Sequence, residues 1–290
     1  MSIQPTYVYY HANCVDGIAA AAVAYLVFNQ RASYHACHYG QELPVQPPNG
    51  ARVYILDFSW PFNSQAREAL LALSKRCHVV VIDHHKTAKE ALSGLDFVTF
   101  DQDKCGAVLA WEYFRDNAPD LIFGPVPKIL QYVQDRDLWQ FRLPHSRAVS
   151  AALASFAKDV VKWADLIDSN LVTSHLVTEG QAILRYQRQL IERIAAQAIY
   201  PTFVGGHRAV KVHTSILQSE VCEYLLEQYP DAVLAAAFYE SPNGPVSTFR
   251  QVSLSSRPDF DVSAVAKQYG GGGHPQAAGY TVAPNGEGTL

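Results

Sequence analysis

Basic residues are scarce in this chain of 290, where 23 Lys and Arg stand against 27 Asp and Glu for a formal charge of −4. A duplex-wrapping track needs far more cationic surface than that, so a globally basic nucleic-acid binder is excluded, whereas a short single strand held by a few groups is not. Long apolar runs are also lacking. The longest, residues 18–28, is too short to span a bilayer, and no membrane partner is expected. The opening MSIQPTYVYY has no basic flank ahead of an apolar stretch and does not read as a secretory signal. The five cysteines, Cys14, Cys37, Cys77, Cys105 and Cys222, are odd in number and form no CxxC, which argues against both a disulfide framework and a thiolate zinc site and fits reduced thiols in a cytoplasmic protein. With 49% apolar and 17% charged residues, the composition is that of a globular chain able to bury one large core or two smaller ones. Against these shortages stand 11 histidines, several of them in short stretches shared with Asp and Gly.

Three strand–loop–helix units open the chain. Residues 7–10 are a β-rich run that breaks at HANCVDG before the small-residue helix 18–28. RVYIL, residues 52–56, is apolar and β-branched or aromatic, as a strand buried on both faces should be, and it ends at Asp57 ahead of a helix over 63–74. Residues 78–82 repeat the plan and end at Asp83, His84 and His85. Alternating strands and helices predict an α/β fold with a mainly parallel sheet, whose ligands lie beyond the C-terminal strand ends, where all three polar clusters fall. Helices follow over 106–114 and 127–133, then QDRDLWQF, then a helical connector with GQAILRYQRQLIERIAAQA at helical spacing. A β-rich composition resumes near Thr202 with one helix over 219–227, and a helix over 262–269 runs into Gly270-Gly271-Gly272-Gly273-His274. The expected organisation is an α/β domain with a mainly parallel sheet over 1–146, a helical connector over 147–200, and a smaller mixed α/β domain over 201–290.

Histidines and aspartates at one sheet edge supply the imidazoles and hard oxygens that Mn²⁺, Mg²⁺ or Fe²⁺ requires. His11 and Asp16 come from the first loop, Asp57 from the second, Asp83, His84 and His85 from the third, and Asp135 or Asp137 from the loop after the helical insert. Each aspartate alone has a plainer reading as a helix cap or turn residue, which recurrence in successive units weakens. Gly271, Gly272 and Gly273 can bring backbone N–H groups close to an anion, with His274 adding a donor; the plainer reading is a flexible loop. Arg136 suits a phosphate contact or a salt bridge that holds its loop, and Asp103 suits a cap on the helix that follows it.

In their order along the chain, HANCVDG, Asp57, Asp83-His84-His85, a later Asp loop and GGGGHPQAAG resemble the DHH phosphoesterases with a DHHA1-type C-terminal domain. The resemblance covers nearly the whole chain. It implies that Asp57 bridges two divalent metals, usually manganese, that His11 serves the first and that Asp16, His84 and Asp135 or Asp137 serve the second. It further implies that Asp83 orients the ligands, that His85 faces the phosphate, and that the glycine motif with His274 holds the terminal phosphate or nucleotide backbone of the substrate. One position departs from the pattern: the family normally has Asp where this chain has Cys14, flanked by Asn13. A thiol there can bind a softer ion, weaken the first metal or pack as a small hydrophobe, and Asn13 can supply an oxygen in its stead, so one or two ions are expected. The family's Arg near the C-terminal motif falls on Ser255 here, which shifts that contact to Arg250, Arg257 or Lys211.

The expected activity is hydrolysis of a short oligonucleotide, cyclic dinucleotide or pAp-like nucleotide by metal-activated water, with Asp57, Asp83, His84 and His85 as the catalytic set. Hydrolysis of polyphosphate or a small phosphorylated metabolite is the enzymatic alternative, and nucleotide binding by a degraded metal centre the non-enzymatic one. A short nucleotide or other phosphorylated small molecule is the expected partner, duplex nucleic acid is not, and room is left for a homodimer.

Overall fold

The computed structural model describes residues 4–38, 43–59, 66–122, 124–169, 174–242 and 248–283, and the chain divides into two compact units, Met1–Leu184 and Arg185–Leu290. The first unit runs β1 (Thr6–His11), α1 (Val15–Phe28), β2 (Ala32–Cys37), β3 (Arg52–Leu56), α2 (Ala66–Ser74), β4 (His78–Asp83), α3 (Lys86–Leu92), β5 (Val98–Phe100), α4 (Gly106–Asn117), α5 (Lys128–Asp137), α6 (Ser146–Ser155) and α7 (Val160–Ser169). The helix α8 (Ser174–Ala195) contains the boundary between the units. The expected helix over 63–74 is observed as α2 from Ala66, its first three residues lying outside the described ones.

Side-chain alternation explains why the first sheet is covered on both faces. Val8, Tyr10, Leu56 and Ile82 pack with α1, α4 and α5 in one core, while Tyr9, Val53, Ile55, Val79 and Val81 pack with Leu70 and Leu73 of α2 in another. Residues two apart on a strand share a face, so an unbroken apolar run feeds both cores. All strand pairs in this sheet are parallel, in the order β2-β1-β3-β4-β5. Neighbours to β1 therefore lie in opposite chain directions, and the carboxyl ends of β1 and β3 flank the switch point at which a doubly wound sheet opens a crevice. The helix α1 lies against β1, α4 and α7. Its residues 16–24 are all buried, and the string of alanines permits that close approach at the cost of side-chain area.

The second unit continues β6 (Ile199–Val204), β7 (His207–His213), α9 (Gln218–Gln228), β8 (Leu234–Pro242), β9 (Thr248–Ser256), α10 (Val262–Gln268), β10 (Gly272–His274) and β11 (Ala277–Val282). Its sheet runs β10-β11-β9-β8-β7-β6; β7 and β8 are parallel and the other pairs antiparallel. Val210, Val212, Ala235 and Ala237 face α9, while Ala209, Leu234, Ala236 and Leu254 face α10. The α/β class, the parallel first sheet and the mixed second sheet all match the expectation from sequence. Two strands, β2 and β5, were not anticipated. The first is an edge strand with alternating polar residues and the second has three residues, so neither carries the apolar run that marked the others.

Candidate metal centre

Strand ends and helix starts build one cluster at the switch point. His11 ends β1, Asp16 lies in the first turn of α1, Asp57 follows β3, Asp83 ends β4 and His84 follows it. Asp57 adopts φ of 51°, a left-handed conformation that costs a non-glycine residue about 1 kcal/mol. Two glycines permit the crowding. A Cβ on Gly17 would lie 2.2 Å from His11 O, and one on Gly106 would lie 2.5 Å from Asp57 Cβ.

His84 is the hub. Its Nε2 lies 3.2 Å from Asp57 Oδ1, 3.5 Å from Asp137 Oδ2 and 3.6 Å from Asp16 Oδ2, all deeply buried except Asp137. His11 Nδ1 lies 3.4 Å from Asp57 Oδ2, on the other side of the same carboxylate. Asp57 thus faces two histidines at once. Burial pushes its carboxyl up, but the adjacent His11 and His84 imidazoles overcome this and hold it well below the usual range. Asp16 and Asp137 go the other way. Burial and the neighbouring Asp57 raise both, against the partial relief His84 provides.

Asp16 also does structural service. Its two oxygens accept the amides of Gly106 and Ala107 at 2.6 and 2.8 Å, so a carboxylate from α1 caps the start of α4. The cap expected from Asp103 is not made: the residue before α4 is Cys105, and Asp103 instead donates its amide to Asp101. Asp83, fully buried, holds rather than faces the cluster. Its Oδ1 accepts from the His84 amide at 2.7 Å and lies 2.7 Å from His85 Nδ1, while its Oδ2 accepts from the Ser59 hydroxyl at 2.5 Å. Burial would raise Asp83, yet His85 keeps it low; the same contact overcomes burial at His85 and raises that imidazole. Ser59 carries no motif signal, and only the fold brings it to Asp83.

Asp135 and Asp137 lie in the last turn of α5, not in the loop that sequence reading gave them. Two residues on a helix project about 200° apart, so one carboxylate at most can enter the cluster. Asp137 enters it. Asp135 accepts the amides of Arg142 at 2.9 Å and Leu143 at 3.0 Å, which fastens the following loop and, with the Ser146 hydroxyl, holds its carboxyl low despite burial. The Arg136 guanidinium lies 4.0 Å from the Trp139 ring and that of Arg147 lies 3.8 Å from Phe141. Both aromatics have positive φ, 55° and 51°.

In the second unit, Arg250 donates to Glu240 from Nε at 3.0 Å, and Arg257 donates to the carbonyls of Ala232 and Leu226. The glycine run is a helix stop and a strand. Gly270 takes φ of 75° after α10, and Gly271 donates to Ala266 O. Gly272 and Gly273 pair with Gly279 and Ala278 of β11, and His274 pairs with Ala277. A Cβ on Gly271 would lie 2.0 Å from Gly279 O and one on Gly273 2.5 Å from Ala277 O, so close strand approach demands both glycines, and Gly273 also takes φ of 143°.

The first unit's donors fit divalent cations. Asp16, His84 and Asp137 each bring a ligand atom within 4.8 Å of the others, as do His11, Cys14 and Asp57, and as do Asp57, Asp83, His84 and His85. Asp57 Oδ2 and Asp137 Oδ2 are buried and make no hydrogen bond among the described residues. Three buried or half-buried carboxylates crowded around one imidazole carry repulsion that a cation removes. Asn13, with φ of 57°, shapes the turn before Cys14.

Fold and site together define a two-unit α/β protein with a carboxylate–imidazole centre at the switch point of its parallel sheet. Residues 194–287 match the family model of the DHHA1 domain, which bears out the expected DHHA1-type C-terminal domain. An uncharacterized protein, R106, of Acanthamoeba polyphaga mimivirus is 26% identical over 94% of this chain, which spans 66% of that relative's length. A pGpG-specific phosphodiesterase, PggH of Vibrio cholerae, shares the fold at a TM-score of 0.52 and 12% identity, over 97% of this chain and 94% of the other. RecJ of Thermus thermophilus, solved in complex with Mn²⁺, does so at 0.51 and 15% identity, over 96% of this chain and 49% of the other. Among the described residues no helix is long and apolar enough to cross a membrane.

Proposed function

We propose that the chain is a divalent-metal-dependent phosphoesterase that hydrolyses a short nucleotide. The observation that carries this reading is the cluster in which Asp57 lies between His11 and His84, with Asp16 and Asp137 also around His84. His11 and Asp57 would hold one ion, and Asp57, Asp16, His84 and Asp137 a second. Bound there, divalent cations supply a nucleophilic water at neutral pH and neutralise charge on the phosphoryl oxygens. The chain's own residues do the rest. Asp83 fixes the orientation of His85 through its Nδ1 contact, so that the imidazole can meet a phosphate oxygen or the leaving group. Relatives support the reaction class, since PggH is named a phosphodiesterase and RecJ was solved with Mn²⁺.

A nucleotide is favoured over polyphosphate by the Arg136–Trp139 and Arg147–Phe141 stacks, which begin next to Asp137 and combine cationic with aromatic surface. The test is a Mn²⁺-dependent hydrolysis panel of pAp, cyclic dinucleotides, di- to decanucleotides and polyphosphate, with Asp57→Asn as control. Turnover of short nucleotides that Asp57→Asn abolishes is expected. Cleavage confined to polyphosphate would overturn the nucleotide reading, and no Mn²⁺-dependent turnover at all would overturn the hydrolase.

A further inference from the structure

The two halves of the cluster do not offer the same chemistry. Around His84 lie the carboxylates of Asp16 and Asp137, an oxygen-rich set. Around the other side of Asp57 lie the His11 imidazole and the Cys14 thiol, so that half offers one nitrogen, one sulfur and one oxygen. Cys14 is also unlike the other cysteines. Cys37 and Cys77 pack in one apolar core, Cys105 in another, where its thiol also reaches Asp16, and Cys222 in a third, all buried, whereas Cys14 is only half-buried and lies with His11 and Asp57. Like Cys105 before α4, it is the residue before its helix, with φ of −102° and ψ of 142°, and its side chain makes no capping hydrogen bond. Ser, Thr, Asp or Asn would cap the helix there, and Cys forgoes that stabilisation. Neither apolar packing nor helix capping accounts for a thiol at this place.

Resting on the metal-centre reading above, we propose that His11, Cys14 and Asp57 form a thiolate half-site for a borderline-soft divalent cation of the Zn²⁺ class, while the Asp16–His84–Asp137 half takes a hard cation such as Mn²⁺. Thiolate ligands select zinc over manganese, and Cys, His and carboxylate groups are the ligand types that zinc takes, three of them from the protein in catalytic sites. The centre is then heterometallic, and its two ions are filled by different metals from a mixed supply.

The experiment uses the full chain stripped of metal and titrated with Co²⁺ as a spectroscopic stand-in for Zn²⁺. Wild type should develop a near-ultraviolet thiolate-to-cobalt charge-transfer band that Cys14→Asp lacks while still retaining cobalt. Offered Zn²⁺ and Mn²⁺ together, wild type should retain both metals and Cys14→Asp should shift toward manganese. Alkylation needs no variant: Zn²⁺ should protect Cys14 of the native protein from iodoacetamide, read by peptide mass, and Mn²⁺ should not. Cobalt retained by wild type without the band, or a Cys14 alkylated equally with and without Zn²⁺ bound, overturns the thiolate half-site and leaves the metal centre standing. A wild-type chain that retains no cation overturns the metal centre itself.

Discussion

The cluster at the end of the first sheet and the glycine run of the second unit look alike in sequence, each a short string of Gly, His or Asp at the end of an element. Different forces hold them. In the second unit the run is accounted for by packing: Gly270 ends a helix, and Gly271 and Gly273 let β10 lie against β11. In the first unit packing is set against the local chemistry. Three carboxylates are crowded around His84, Asp57 is held at positive φ, and two buried carboxylate oxygens make no hydrogen bond among the described residues. A group that its neighbours fully satisfy is explained by the fold, while a group that the fold leaves in conflict points to a ligand.

Substitutions can break that contrast. The largest effect is expected at Asp57. Asn keeps the shape and tolerates the left-handed backbone, so Asp57→Asn should melt within a degree or two of wild type, yet lose hydrolysis on the order of a thousandfold, since a lost cation removes several kcal/mol of transition-state stabilisation. Steady-state kinetics beside a thermal melt check both halves. A melting temperature that falls as steeply as the activity would mean the carboxylate is structural.

Gly106→Ala and Gly273→Ala sharpen the comparison. Each Cβ would lie 2.5 Å from a neighbour, so each should destabilise the fold by about 1 to 3 kcal/mol. Only Gly106→Ala, which presses on Asp57, should also lower Mn²⁺ occupancy in elemental analysis of dialysed protein. Equal metal loss in both would remove the distinction between the regions.

Asp135 and Asp137 should separate in the same way. Asp135→Ala leaves the amides of Arg142 and Leu143 without their acceptor and should cost about 1 to 3 kcal/mol in chemical denaturation while metal is retained. Asp137→Ala should lose Mn²⁺ affinity and leave metal-free stability unchanged or raised, because it removes a carboxylate that Asp57 repels. The smallest effect is expected at Ser59. Ser59→Ala removes one hydrogen bond to Asp83, about 1 kcal/mol, and should lower kcat modestly through a less well-fixed His85, with metal content unaltered.

Sequence reading reached the strand ends because β1, β3 and β4 are buried on both faces and stop abruptly at His or Asp. It reached His11, Asp16, Asp57 and His84 for the same reason, since parallel strands gather their C-terminal residues at one edge. It left Asp135 and Asp137 as alternatives because their separation is settled by the azimuth of α5, which depends on packing and not on the residue types. Asp103 was expected to cap α4, but a residue from α1, 90 positions from Gly106, supplies the acceptor. Ser59 and the space demanded at Gly17 and Gly106 are tertiary facts with no local pattern. The glycine run was legible as a motif but not as a strand, because β10 exists only by pairing with β11.

The central claim, that the Asp57 cluster is a divalent-metal centre for phosphoester hydrolysis, is tested most directly by titrating the metal-stripped chain with Mn²⁺ while following occupancy and dinucleotide hydrolysis in the same samples. The account predicts that turnover appears in step with occupancy and that Asp57→Asn lacks both. Tight Mn²⁺ binding that Asp57→Asn leaves intact, or turnover in the stripped chain before any ion is bound, would contradict it.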